Sequence, residues 1–323
     1  MDGGTGTLLK HSGAHLSHTE YTTLWSAAPL TDPSRHHHVV SAHTKFIQAG
    51  ANMITSNTYA CTLDMLSKAY PNMSLKELTQ KRNELAKTAM LLAKEAVDTS
   101  KADVKILASI PPLSVSYRPD LVKENDGLIE EYSGLIETIS PYADVLLCET
   151  MSSLVEAKVA VNAAKEFGGG VDVWCSYTVD ESGDVRDGTE IVEAVKALNI
   201  DAALINCGTP EACLIALKKL NVAGVTEEMD VGVLPNGYVP IDASTFTLRP
   251  GDSTASEDEG SVKPKEIIGR RKEISDNALA FVDVFKEYAE NGAKMVGGCC
   301  DVMPEHIRAF RIAREGFEKK KVA

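Results

Sequence analysis

The segment from Val145 to Ser176 decides the reading of the chain: Val145–Glu149 (VLLCE), Ser153–Phe167 (SLVEAKVAVNAAKEF) and Val171–Ser176 (VDVWCS). The outer two runs are continuously apolar or β-branched, as strands buried on both faces require. The stretch between them has helical periodicity, with Ser153 at its start. Strand, helix, strand is a parallel βα unit.

The same alternation continues outward in both directions. Further strand-like runs are Asn52–Asn57 (NMITSN), Val104–Ser109 (VKILAS), Ala203–Cys207 (ALINC), Val231–Asn236 (VGVLPN) and Lys294–Cys300 (KMVGGCC), which makes seven. Helical patterns fall near Arg35–Gln48, Ser74–Asp98, Gly127–Ile139, Glu190–Leu198, Pro210–Leu220, Ile274–Asn291 and Pro304–Lys319. Ser74 with Glu77 predicts a capping box. Pro33, Pro210 and Pro304 suit first turns, where a missing N–H costs nothing. Gly50, Gly168 and Gly292 suit left-handed C-caps. One repeat series spans the chain, so the expected fold is α/β: a single-domain (β/α)8 TIM barrel over residues 1–323 with strand one abbreviated before Asp2. Arg249–Glu266 (RPGDSTASEDEGSVKPKE) is polar and turn-rich and reads as a flexible loop.

With 323 residues, 44% of them hydrophobic, the chain can bury a large core without disulfide staples. No apolar run approaches the ~18 residues of a membrane span, and the N-terminus lacks a secretory pattern. A net charge of −13 argues against a nucleic-acid footprint. The seven cysteines are odd in number and there is no export signal, so reduced thiols in the cytoplasm are expected.

Barrel enzymes carry their chemistry at the C-terminal ends of the strands. Those ends bring together Asp2, Asn57, Ser109, Glu149, Cys207 and the pair Cys299–Cys300. Adjacent residues have Cα atoms ~3.8 Å apart, less than the usual ~4.4–6.8 Å of a disulfide, so Cys299–Cys300 is poorly explained as a crosslink. Gly297 and Gly298 allow the backbone to leave the strand path and turn both sulfurs inward. With Cys207 they form three soft thiolates, which favours zinc. No fourth Cys or His stands at a strand end, and an open coordination position is the mark of a catalytic site. Cys61, Cys148, Cys175 and Cys213 read as buried core. The competing reading makes all seven cysteines packing in a metal-free barrel enzyme.

Together these segments resemble the homocysteine S-methyltransferase family. The resemblance is carried by Asp2-Gly3-Gly4, Leu24-Trp25-Ser26-Ala27, Ser56-Asn57-Thr58-Tyr59, Cys148-Glu149-Thr150, Ser176–Gly188 (SYTVDESGDVRDG), Ile205-Asn206-Cys207, Val296-Gly297-Gly298-Cys299-Cys300 and Pro304-Glu305-His306-Ile307. It implies a barrel with zinc on Cys207, Cys299 and Cys300. Homocysteine is then the methyl acceptor, its ammonium on Glu149, with Asp2 and Asn57 lining the same pocket. The chain departs from many relatives after the strand at Val104–Ser109, where Ser109–Asp120 (SIPPLSVSYRPD) replaces a Gly-Pro-Tyr-Gly loop.

The expected donor carries a positive leaving centre, since transfer to a thiolate then neutralises charge in a low-dielectric mouth. S-methylmethionine or S-adenosylmethionine comes first and betaine second, with Trp25 and Tyr117 available for cation–π contact. Methyltetrahydrofolate routes through cobalamin need further domains. Selenocysteine methylation and an inactive homocysteine binder remain as alternatives. Gly3, Gly4 and Gly6 lack the following Lys-Ser/Thr of a phosphate loop. His36–His38 fan around a helix start, and His11, His15 and His18 are placed in an early loop.

Overall fold

All seven predicted strands are present and lie in one parallel sheet in chain order. They are β1 Met53–Thr55, β2 Lys105–Ile110, β3 Val145–Met151, β4 Asp172–Tyr177, β5 Ala202–Asn206, β6 Asp230–Leu234 and β7 Met295–Val296. The computed structural model of the protein describes residues 1–14, 17, 23–113, 116–122, 126–237, 278 and 281–322. The proposed loop at 249–266 lies outside the described residues, as do His15 and His18.

The two ends of the sheet approach each other through the first residues of the chain. The Met1 nitrogen donates to the Val296 carbonyl (2.7 Å) and Gly298 N–H to the Asp2 carbonyl (2.9 Å). On its other side, Asp2 accepts from Thr55 N–H of β1 (2.7 Å). No eighth strand is assigned among the described residues, so the eight-stranded expectation is met only as a curled parallel sheet of seven. Residues 1–3 hold their neighbours through single bonds and a side chain, without a regular ladder.

Strand periodicity explains the two apolar layers. Leu107, Val145, Leu147, Trp174, Ala202, Leu204, Leu234 and Met295 point to one face and pack together inside the curl. Their alternates, among them Ala108, Leu146, Cys148, Cys175, Ala203 and Ile205, point outward and pack against the helices. Two residues beyond the inner layer come Ser109, Glu149, Ser176 and Asn206. One step along four strands therefore changes the interior from apolar to polar.

Local chemistry fixes the helices around the sheet. Ser74 Oγ accepts Glu77 N–H while Glu77 accepts Ser74 N–H (2.7 Å), giving the predicted capping box for Leu75–Ser100. Ser153 caps Leu154–Phe167, and Thr209 with Pro210 opens Pro210–Val222. Gly50 and Gly292 take the predicted left-handed conformation (φ 110° and 96°). Gly168 does not (φ −81°); the left-handed turn falls instead on Gly169 and Gly170. Of the helix predicted over 274–291, residues 281–290 are helical. Among the described residues three α-helices went unread: Thr5–His11, Leu63–Ala69 and Val225–Glu228. His11 therefore ends a helix instead of sitting in a loop, while His36 opens His36–Ala49 with His37 exposed.

Candidate metal centre and substrate cavity

A cavity of about 330 Å³ opens at the C-terminal ends of the strands, floored by Leu147, Leu204 and Leu234 of the inner layer. Asp2, Asn57, Glu149, Cys207, Cys299 and Cys300 all line it. Ser109 does not. It acts one step back, its hydroxyl donating in a short contact to the Glu149 carboxylate.

Simple alternation would point Cys207 outward with Ile205 and Ala203. The chain prevents this by leaving the strand at Asn206 and placing Cys207 in the left-handed region (φ 54°). A non-glycine residue held there costs on the order of 1–3 kcal/mol, so its surroundings must hold it. Cys207 N–H donates to the Leu234 carbonyl (3.0 Å), and the Cys207 carbonyl accepts from Asn236 Nδ2 (3.0 Å).

The second loop solves a different problem. Gly297 passes so close to the Asp2 carbonyl, and Gly298 to the Val302 side chain, that a Cβ at either would collide. The glycines serve close approach, and Asp301 makes the left-handed turn (φ 60°). Cys299 N–H donates to the Pro235 carbonyl (2.8 Å) and Gly237 N–H to the Cys300 carbonyl (2.7 Å).

As a result the three sulfurs lie within 4.8 Å of one another, and no fourth Cys, His, Asp or Glu joins the cluster among the described residues. Cys207 and Cys299 are joined as a disulfide, Cα atoms 5.4 Å apart and 92 positions apart in sequence, while Cys300 is free. Two loops that press their sulfurs together in this way can join them by oxidation and part them again on reduction. Burial pushes the Cys300 thiol up to about 12, with Asp301 and Glu149 adding to it. The donor set fits a soft cation: three sulfurs, converging from two loops, with one coordination position left to a ligand.

Burial also raises the Glu149 carboxyl to about 7, with Asp2 contributing. Glu149 is no helix cap, since Ser153 performs that task. Asp2 is likewise pushed up to about 7 by burial, against the hydrogen bonds it accepts from Thr55 N–H and Thr55 Oγ (3.2 Å). Asn57 donates to the Ser26 carbonyl (2.9 Å) and Asn206 to Thr150 Oγ (2.8 Å). Their buried amide oxygens accept nothing from the described residues. Lys68, 2.6 Å from the Asp64 carboxylate, is the cationic side chain among the described lining residues. The wall is thus rich in acceptors and suits a ligand that brings cationic and N–H groups.

Aromatic residues complete the wall. Trp25 stands edge-on to Tyr59 at 5.5 Å, and the Tyr59 hydroxyl bonds Ser116 Oγ (2.5 Å). Tyr117 is left-handed (φ 66°), with the Arg186 guanidinium 5.1 Å from its ring centroid. Ser116 and Tyr117, from the loop Ser109–Asp120, form part of one wall of the cavity. Thr150 and Ser176 also line it without having been singled out from sequence, and Asn236 was read only as a strand end.

The model of the family described as homocysteine S-methyltransferase matches residues 1–313. The chain belongs to the homocysteine S-methyltransferase family. Among its relatives, the methionine synthase of Mycobacterium leprae (strain TN) is 24% identical over 325 residues, covering 97% of this chain; the chain spans only 24% of that protein. The homocysteine S-methyltransferase YbgG of Bacillus subtilis (strain 168) is 25% identical over 328 residues, covering 95% of this chain and 91% of YbgG. In fold the chain resembles the metallated form of the homocysteine methyltransferase MmuM from Escherichia coli, with a TM-score of 0.71 at 20% identity, over 97% of this chain and 95% of that one. No helix among the described residues is long and apolar enough to cross a membrane.

Proposed function

We propose that this chain transfers a methyl group from a cationic donor to the thiol of homocysteine, yielding methionine, with zinc held by Cys207, Cys299 and Cys300. The reading is carried by one observation: three sulfurs from two distant loops converge on the wall of a cavity that also presents Glu149 and Asp2. Reduction of the Cys207–Cys299 bond, two electrons and two protons, frees the full donor set. Zinc there would draw the acceptor thiol into its thiolate form at neutral pH.

The remaining work belongs to the side chains. Glu149, steadied by Ser109, pairs with the acceptor's ammonium, and the free oxygens of Asn57 and Asn206 accept its remaining N–H groups. Asp2 lies beside them and ties the N-terminal segment to β1. Trp25 and Tyr117 line the cavity and offer aromatic faces to a methyl on sulfonium or quaternary ammonium. Positioning then supplies the in-line approach of sulfur to methyl. S-methylmethionine or S-adenosylmethionine fits this reading best, with betaine as the second choice. We extend the proposal to architecture and setting. Residues 1–3 lie where strand one of a single (β/α)8 domain would run, between β7 and β1, and their bonds to both support this. The reduced site suits the cytoplasm.

The test is a donor panel with homocysteine as acceptor, run on reduced, zinc-loaded protein, with methionine as readout. Methionine from one sulfonium donor supports the reading; none from S-methylmethionine, S-adenosylmethionine, betaine or methylcobalamin sinks it.

A further inference from the structure

One four-residue segment touches both cysteine loops. It runs from Leu234, the last residue of β6, through Pro235, Asn236 and Gly237. On one side the Leu234 carbonyl accepts Cys207 N–H (3.0 Å), Asn236 N–H donates to the Gly208 carbonyl (2.9 Å), and Asn236 Nδ2 donates to the Cys207 carbonyl (3.0 Å). On the other side the Pro235 carbonyl accepts Cys299 N–H (2.8 Å) and Gly237 N–H donates to the Cys300 carbonyl (2.7 Å). Gly237 passes so near Asp301 that a Cβ would strike its backbone.

Most of these bonds are made by the main chain and draw on no side-chain group. Asn236 differs, because its side chain supplies a bond that only a donor of that length can give. It is 2% exposed and grips the carbonyl of the one residue that must stay left-handed for its sulfur to face the cavity. The geometry points to Asn236 as the positioning residue of the sulfur cluster: it fixes the Cys207 turn against the Cys299–Cys300 loop, so that the donor set is preformed before a metal arrives. The inference rests on the metal reading above and deepens it. Groups that orient ligands from behind typically change metal affinity by roughly 10–100-fold when removed.

The test uses the full chain, reduced and metal-free, as wild type, Asn236→Ala, Asn236→Asp and Cys207→Ser. Zinc affinity is read by competition with a chromophoric chelator. Cobalt(II) is titrated separately, and its sulfur-to-metal charge-transfer absorption reports how the thiolates meet the ion. Melting of the metal-free forms registers a merely structural loss. The expected result is a tenfold or greater fall in zinc affinity in the Asn236 variants, an altered cobalt band, and metal-free melting within about 4 °C of wild type. Should the alanine variant not fold, the isosteric aspartate, which lacks the donor when ionised, decides alone. Zinc affinity reduced by less than tenfold with an unchanged cobalt band overturns the inference, whatever happens to melting. Wild type that binds zinc no better than Cys207→Ser sinks the metal reading itself, which is a separate result.

Discussion

Cys148 and Cys175 sit directly opposite each other in the register of β3 and β4, yet both are free. Cys207 and Cys299 lie 92 positions apart and are joined. The first pair points outward from regular strands into the helix-facing layer, where burial raises both thiols well above their ordinary range. Cys61 and Cys213 share that fate, each pushed up to about 12 by burial. Cys207, Cys299 and Cys300 occupy loops, where the backbone has left strand geometry and gathers the sulfurs at the cavity. Neighbourhood along the sheet does not decide sulfur chemistry here. Backbone conformation does.

That contrast breaks most sharply under substitution. Cys207→Ser is expected to lower zinc from about one ion per chain to background and to abolish methionine formation, whereas Cys148→Ala keeps both. Metal analysis after gel filtration checks this, and equal loss in both variants would erase the distinction. The next test is redox. Protein with Cys207 and Cys299 joined should take up no zinc until treated with a thiol-free phosphine, after which uptake rises to stoichiometry; full uptake without reductant would show that the joined pair is irrelevant to metal binding.

Glu149 sharpens the comparison from the substrate side, since it shares the mouth with the reactive cysteines. Its carboxyl is raised from 4.5 to about 7 by burial, so homocysteine binding should weaken as pH falls through 7 and the charge is lost. For folding the sign is opposite. A raised carboxyl contributes stability below its unfolded value, and this is lost as pH rises through about 7. Glu149→Gln is expected to raise the homocysteine KM at least tenfold, to flatten that pH dependence, and to melt higher than wild type above pH 7. A higher KM without the altered melting profile would place Glu149 in the pocket but remove the burial argument. The smallest effect belongs to the packed thiols: Cys175→Ala should cost about 1 kcal/mol of stability and leave KM and kcat unchanged, measured by urea unfolding and steady-state kinetics.

Much of this was legible in advance because it is local. Seven apolar runs named seven strands, and Ser74 with Glu77 named a cap, since each signal lies within a few residues. Cys207, Cys299 and Cys300 were legible because glycines and cysteines cluster at strand ends. Other features depend on distant partners. Periodicity cannot show that Cys207 escapes its outward position, because that turn is held by Asn236, 29 positions away. Nor can it show that Gly169 and Gly170, instead of Gly168, carry the turn after their helix. The helix at Thr5–His11 hid behind glycines that serve close approach to the Cys299 loop and to Trp25. Ser176 and Asn206 are common residue types, and only the step from Trp174 and Leu204 to the next inward position marks them as lining; Thr150 stands outside that alternation, in the left-handed region (φ 62°).

The apolar layer beneath the cavity has one more effect. Among the described residues, Leu147, Leu204 and Leu234 of that layer form the floor of the cavity, with Trp174 and Met295 packed in the same cluster. A floor without hydrogen-bonding groups gives water nothing to hold, so solvent there is readily displaced by the methylene groups of a ligand.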